Sequence, residues 1–387
     1  MSASSLPVVA SYCATFLKPE MLHIYRQITA LKRFRPIVIT QKREHTKEFP
    51  FAPVYIVGKP WMHFARRFWF RTVRDAPWQI SHHEVNRLRQ VLTANDAQIL
   101  HVYFGHIAVH LLPLILHWRH PTVVSFHGAD VLVELDKPHY RAATREMLAA
   151  ARLVLVRSES LARGLRELGC PNEKLRLHRT GIPLHEIPFR RRAWPSDGRW
   201  KFLQAGRLIE KKGLATSLRA FATFQRQNPA ATFTIAGEGP MRAQLEALAR
   251  ELGIAGQVRF AGFLSQPALR EEFYRAHIFL HPSELGPDGN QEGIPNSMLE
   301  AMASGLPVFA TNHSGIPEAI RNGTNGVLVN ERDDDALGKA LLQWTKNLDA
   351  LARLAEEGAR SVAEKFEQRA QVRALEEIYF EALARSG

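Results

Sequence analysis

The sequence predicts an α/β protein of two domains, each built on a parallel sheet. Three observations carry that expectation. Its 387 residues are too many for one ordinary core and suit two domains of about 190 each. Apolar runs of strand length alternate with helical stretches along the chain, the pattern of parallel α/β layers. Glycine-containing turns stand where strands give way to helices, at the end of an open parallel sheet where ligands bind.

In the first half the strand-like runs are 7–11, 36–40, 98–102, 122–126 and 153–156. In the second they are 200–204, 232–236, 258–261, 278–281, 308–310 and 326–329. Helical patterns lie between them; within 241–252, Leu245, Leu248, Ala249 and Leu252 fall on one face. Residues 188–200 mix arginines, prolines, Ser196 and Asp197 without periodicity and read as a linker, which sets the domains at 1–189 and 199–365. From 349 to 384 the pattern is helical throughout.

The apolar fraction of 45% and charged fraction of 23% are those of a soluble globular chain. Cys13 and Cys170 offer neither a disulfide framework nor metal-ligand spacing, which fits a reducing, cytoplasmic compartment. No run approaches the roughly 18 apolar residues of a membrane span, and no basic segment precedes the apolar start as in a signal peptide. The net charge of +13 belongs to one half: residues 1–190 hold 27 Lys and Arg against 14 Asp and Glu, and the remainder holds 24 of each. That half should meet an anionic partner, with nucleic acid and an anionic membrane surface as the candidates.

Four stretches of the second half carry chemistry. Gly206-Arg207-Leu208-Ile209-Glu210-Lys211-Lys212-Gly213 follows a strand. Its glycines let backbone approach a ligand, and Arg207 and Lys212 can converge on a phosphate, although a solvated basic turn has the same composition. Gly237-Glu238-Gly239-Pro240 makes a tight turn before a helix. Arg242 stands where the dinucleotide fingerprint needs its third glycine, which argues against a nicotinamide-dependent oxidoreductase. In Glu292-Gly293-Ile294-Pro295-Asn296-Ser297-Met298-Leu299-Glu300, Pro295 suits the first turn of a helix that ends at Gly305. The free N–H groups of that turn form an anion site between Glu292 and Glu300. Ser314-Gly315-Ile316-Pro317-Glu318 opens a further helix that either lines this site or packs the core. Asp333, Asp334 and Asp335 precede a helix, where acids favour the dipole, and are not read as a metal site.

In this order, the Gly206–Gly213 turn, the Gly237–Pro240 turn and two glutamates with seven residues between them resemble the retaining glycosyltransferase family 4. Glu300-Ala-Met-Ala-Ser-Gly-Leu-Pro-Val is similar to that family's signature, and the resemblance covers most of the chain, most closely over 200–330. It implies a GT-B architecture, two Rossmann-like domains with parallel sheets facing a central cleft. It also implies a nucleoside-diphosphate sugar as donor, with no cofactor and no metal. Carried over, Arg207 and Lys212 hold the donor diphosphate, Glu292 contacts the transferred sugar and Glu300 the ribose. Gly237, Gly239, Gly293, Ile294, Pro295 and Asn296 line the donor site. The final helix, 366–387, is implied to pack back on the N-terminal domain.

In the first half, Phe126-His127-Gly128-Ala129-Asp130 follows a strand. A lone histidine at a strand end is usually structural. The resemblance, which in this motif is to colanic-acid-type exopolysaccharide glycosyltransferases, puts His127 at the transferred sugar and makes Asp130 a second candidate. After the first strand the chain reads Ser11-Tyr12-Cys13-Ala14-Thr15-Phe16 in place of the family's glycine pair. No phosphate contact is therefore carried over to that loop, and Thr15 is retained as a cleft residue. Residues 59–74 interleave basic and aromatic side chains. Such a helix lies in a membrane interface, or packs Trp61, Phe64, Phe68 and Trp69 into the core with its arginines in water. The first reading fits a polyprenyl-diphosphate-linked glycan acceptor at the inner face of a bacterial plasma membrane; the rival is a soluble small acceptor. No recognition motif supports nucleic acid.

Overall fold

The structure, a computed structural model, describes residues 6–128, 137–286 and 292–384. The chain divides into two compact units, Met1–Gly181 with Gln368–Gly387, and Ile182–Glu367.

The first unit is built on strands β1 (Val8–Phe16), β2 (Arg35–Arg43), β3 (Val54–Ile56), β4 (Ala97–Tyr103), β5 (Thr122–Phe126), β6 (Leu153–Val156) and β7 (Leu175–Leu177). They form one parallel sheet in the order β3-β2-β1-β4-β5-β6-β7. Strands covered on both faces must be apolar on both, which is why the central ones read as continuous runs. β1 reaches Phe16, five residues beyond the expected run, and Thr15 pairs opposite Lys42. Without a glycine pair to turn it, the backbone stays extended. The edge strands β3 and β7 escape the sequence reading because they are three residues long and only partly buried.

The helical tail is two helices. Leu348–Phe366 belongs to the second unit, and the chain leaves it through Glu367, whose φ −63° and ψ 129° end the helix. Gln368–Ala384 covers one face of the first sheet, where Leu375, Tyr379 and Ala382 pack on Val9, Ile99, Val123 and Leu155. Buried Glu376 accepts hydrogen bonds from the Lys32 and Arg33 amides at 2.6 and 2.7 Å.

The second unit holds β8 (Lys201–Ala205), β9 (Thr232–Ala236), β10 (Val258–Gly262), β11 (Ile278–His281), β12 (Val308–Thr311) and β13 (Val327–Val329). All are parallel, in the order β10-β9-β8-β11-β12-β13. One face packs on helices Leu214–Gln225 and Asp334–Trp344, the other on helices Gln266–Arg275 and Asn296–Ser304. The order of strands reverses at β1/β4 in the first sheet and at β8/β11 in the second. Connections there leave toward opposite faces and open a crevice at the carboxyl ends.

Residues 188–200, expected as a linker, are packed on the second unit. The Arg190 amide donates to Ser304 O at 3.1 Å, Arg192 reaches the same carbonyl at 2.9 Å, and Trp200 is buried against Phe224 and His277. The composition is that of a loop, but its tryptophans act as anchors.

Helix His63–Thr72 falls in the basic-aromatic stretch. His63 is buried against Trp78, and Arg66 donates to Gln79 O at 2.9 Å. Trp61 is 88% exposed, Phe64 80%, Phe68 68% and Trp69 43%, so the core-packing alternative is excluded. At about 100° per residue, Phe64 and Phe68 point away from the His63–Arg66–Phe70 side, with Arg67 and Arg71 on the flank. No helix among the described residues is long and apolar enough to cross a membrane.

Candidate active site

The turns after β8 and β9 are stitched together at the carboxyl end of the second sheet. Gly206 N–H donates to Ala236 O and Leu208 N–H to Glu238 O, each at 2.9 Å. Gly237 has φ 141°, and a Cβ there would lie 1.8 Å from Gly206 O; one on Gly239 would lie 2.4 Å from Leu208 O. Both glycines of the predicted motif are thus required for the close approach of the two turns.

The β8 turn then folds inward through Glu210–Lys212. Gln204 Nε2 donates to Lys212 O at 2.8 Å, and the Glu284 amide donates to Lys211 O at 3.0 Å. The Lys212 ammonium lies 2.7 Å from Glu292 Oε2, and that of Lys211 3.8 Å. Both lysine side chains are largely buried, so this is not a solvated turn. Burial alone would raise the Glu292 pKa, but the charges of Lys212 and Lys211 outweigh it and hold the carboxyl down at about 2. Two residues 80 positions apart, each singled out from sequence, therefore share one charged site. Arg207 is exposed at its edge.

Helix Asn296–Ser304 starts one residue later than expected. Pro295 is its extended N-cap, and Gly305, at φ 90°, closes it. Ser297 Oγ donates to Ala205 O at 2.8 Å and docks the helix start on the end of β8. Gly293, Ile294 and Pro295 are buried before the helix, Asn296 is half-buried, and Glu300 is buried within it. The N–H groups of the first turn have no intrahelical partner, and beside the two lysines such a helix start can accept an anion.

In the first unit, His127 stands at the end of β5. Its Nδ1 lies 3.3 Å from an Arg157 guanidinium nitrogen and 3.3 Å from His23 Nε2. Burial, then the Arg157 charge, hold its pKa well below the usual histidine value. Guanidinium can only donate, so Nδ1 accepts and the neutral ring carries its proton on Nε2. Arg157 is itself oriented by Thr180 Oγ1 at 2.9 Å. Asp130 lies outside the described residues, and Thr15 is half-buried in β1.

Sequence reasoning missed Lys211, Ser297, His23 and Arg157. Lys211 was visible as the neighbour of Lys212. Arg157, a charge directly after an apolar strand and before the N-cap Ser158, was the other available signal.

Two parallel α/β units, the second with glycine turns at the carboxyl end of its sheet, have the GT-B architecture. Residues 22–186 match Glycosyltransferase Family 4, and residues 186–361 match Glycosyl transferases group 1. The amylovoran biosynthesis glycosyltransferase AmsK of Erwinia amylovora is 32% identical over 74% of this chain and 70% of its own length. A Salmonella typhimurium protein named for colanic acid biosynthesis, WcaL, is 33% identical over 65% of this chain, and the match spans only 62% of its own length. Among solved structures, Anabaena Alr3699/HepE in complex with UDP aligns over 97% of this chain and all of its own, with a TM-score of 0.76 at 17% identity. The chain belongs to glycosyltransferase family 4.

Proposed function

We propose that this glycosyltransferase moves a hexose from a nucleoside-diphosphate sugar, with retention of anomeric configuration, to a lipid-linked glycan in bacterial surface-polysaccharide synthesis. The observation that carries the donor half is the Lys212–Glu292 pair beside the start of helix Asn296–Ser304. Cleaving the anomeric C–O bond leaves negative charge on the departing phosphate and positive charge on the sugar. Lys212, Lys211, Arg207 and the helix amides answer the first, and Glu292 the second. With those cations in that role, the reaction needs no metal. Glu300 is assigned to the ribose hydroxyls. His127, with its proton on Nε2, is assigned as a hydrogen-bond donor in transfer.

UDP is the first nucleotide to test, since the Anabaena neighbour was crystallised with UDP and with UDP-glucose. The named biosynthetic roles of the Erwinia and Salmonella relatives support an exopolysaccharide product. The exposed aromatics of helix His63–Thr72, flanked by arginines, support an anionic membrane surface as the place of the acceptor. A thermal-shift screen over UDP-, GDP- and ADP-sugars tests the donor, because a ligand that binds only the folded state raises Tm. Turnover should persist in EDTA and give the retained anomer by NMR; an inverted product or a strict metal requirement refutes the assignment.

A further inference from the structure

Two turns with no part in that assignment hold the backbone of Glu292. The first follows β12 and carries His313, 3% exposed. The Glu292 amide donates to His313 Nε2 at 3.1 Å. The opposite ring nitrogen, Nδ1, lies 2.7 Å from Glu331 Oε1, on the turn after β13. Glu331 Oε2 also accepts from the Leu285 amide at 2.8 Å. An amide can only donate, so Nε2 must offer its lone pair, and the neutral ring keeps its proton on Nδ1, where the carboxylate accepts it. The two partners thereby fix one tautomer. The His313 turn is itself pinned by the Asn312 amide on Val329 O at 2.8 Å. It presses on the next residue of the Glu292 loop, since a Cβ on Gly315 would lie 3.0 Å from Gly293 O.

We propose that His313 and Glu331 are positioning residues, a neutral imidazole and a carboxylate that fix the main chain of Glu292 so that its side chain stays aimed at the site shared with Lys212. The proposal rests on the reading of Glu292 as the sugar contact. A displacement of about 1 Å at a reacting group can cost on the order of 100-fold in rate.

The test uses the full chain and compares kcat, KM, UDP affinity and Tm in H313F, H313Q, E331A, H313F/E331A and E292Q. H313F fills the ring's volume without its nitrogens, whereas H313Q keeps an acceptor near the Nε2 position. H313F and E331A should each lower kcat roughly 10- to 100-fold and leave UDP affinity unchanged. H313Q should recover much of the loss, and the double variant should be no worse than the poorer single one. Wild-type turnover by E292Q overturns the Glu292 reading and this proposal with it. Wild-type kcat in H313F beside an inactive E292Q overturns the positioning role alone. Parallel losses of kcat, UDP affinity and Tm, without rescue in H313Q, also overturn it, because they mark His313 as mere filling. If H313F does not fold, E331A carries the same comparison from a side chain that is 33% exposed.

Discussion

At the scale of single residues, burial separates two cations that the sequence treats alike. Lys212 is largely buried and paired with Glu292, whereas Arg207 is exposed. Lys212→Ala should therefore lower Tm as well as nucleotide affinity, since a buried carboxylate loses its nearest counter-charge. Arg207→Ala should weaken the nucleotide by about 2 kcal/mol, the value of a charge-assisted contact to a desolvated phosphate, at unchanged Tm. Calorimetry with UDP and thermal melts on both variants decide it, and equal Tm losses would be the contrary result. Glu292→Gln should stop transfer while UDP still binds, whereas Glu300→Ala should weaken UDP itself. The residue types at these positions were readable because glycine-edged turns and a proline-started helix leave local marks. Their pairing was not, nor was the His313–Glu331 clamp, because 80 and 18 residues separate the partners and only the sheet order brings them together.

Among the elements, helix His63–Thr72 separates cleanly from the fold it sits on. Its anchors are His63 and Arg66, while Phe64, Phe68, Arg67, Arg71 and Arg74 are exposed. Replacing Arg67, Arg71 and Arg74 with Gln should leave Tm and UDP binding intact and reduce binding to phosphatidylglycerol vesicles. Each basic residue near such a surface contributes about 1 kcal/mol, within a Debye length of roughly 8 Å at physiological salt. Vesicle sedimentation at low and high salt measures it; no wild-type binding at low salt would return the acceptor to solution. Sequence pattern exposed the central strands because both their faces are buried. It left out β3 and β7, too short and too wet to show a period, and it took residues 188–200 for a linker because Pro and Arg outweighed Trp200.

Across the whole molecule, buried imidazoles should govern the response to acid. His101 and His281 are fully buried and His178 nearly so. Burial, before any neighbouring charge, sets each pKa below the ordinary 6.5: His178 and His281 fall to about 3, and His101 also lies well below. Two of the three hold the C-terminal helix, through His101 Nδ1 to Tyr379 OH at 2.6 Å and His178 Nε2 to Gln371 O at 3.0 Å. These rings stay neutral when folded, but the unfolded chain protonates them once pH falls below 6.5. Their contribution is therefore complete above 6.5 and declines as pH drops, by up to about 1.4 kcal/mol per pH unit for each group. Glu292, held at about 2, has the same sign but starts to lose its contribution only below the ordinary 4.5. Tm should accordingly be level above pH 7 and fall between pH 6.5 and 5, before any carboxylate matters. His281 allows the cause to be isolated, because neither ring nitrogen has a hydrogen-bond partner among the described residues and the ring stacks on Phe279 at 6.1 Å. His281→Phe should match or exceed the wild-type Tm at pH 7.5, since it removes unsatisfied polar atoms at similar volume. It should also shrink the difference between Tm at pH 7.5 and at pH 5.5. A wild-type Tm that holds to pH 5, or a drop undiminished in His281→Phe, would assign the acid response to other groups.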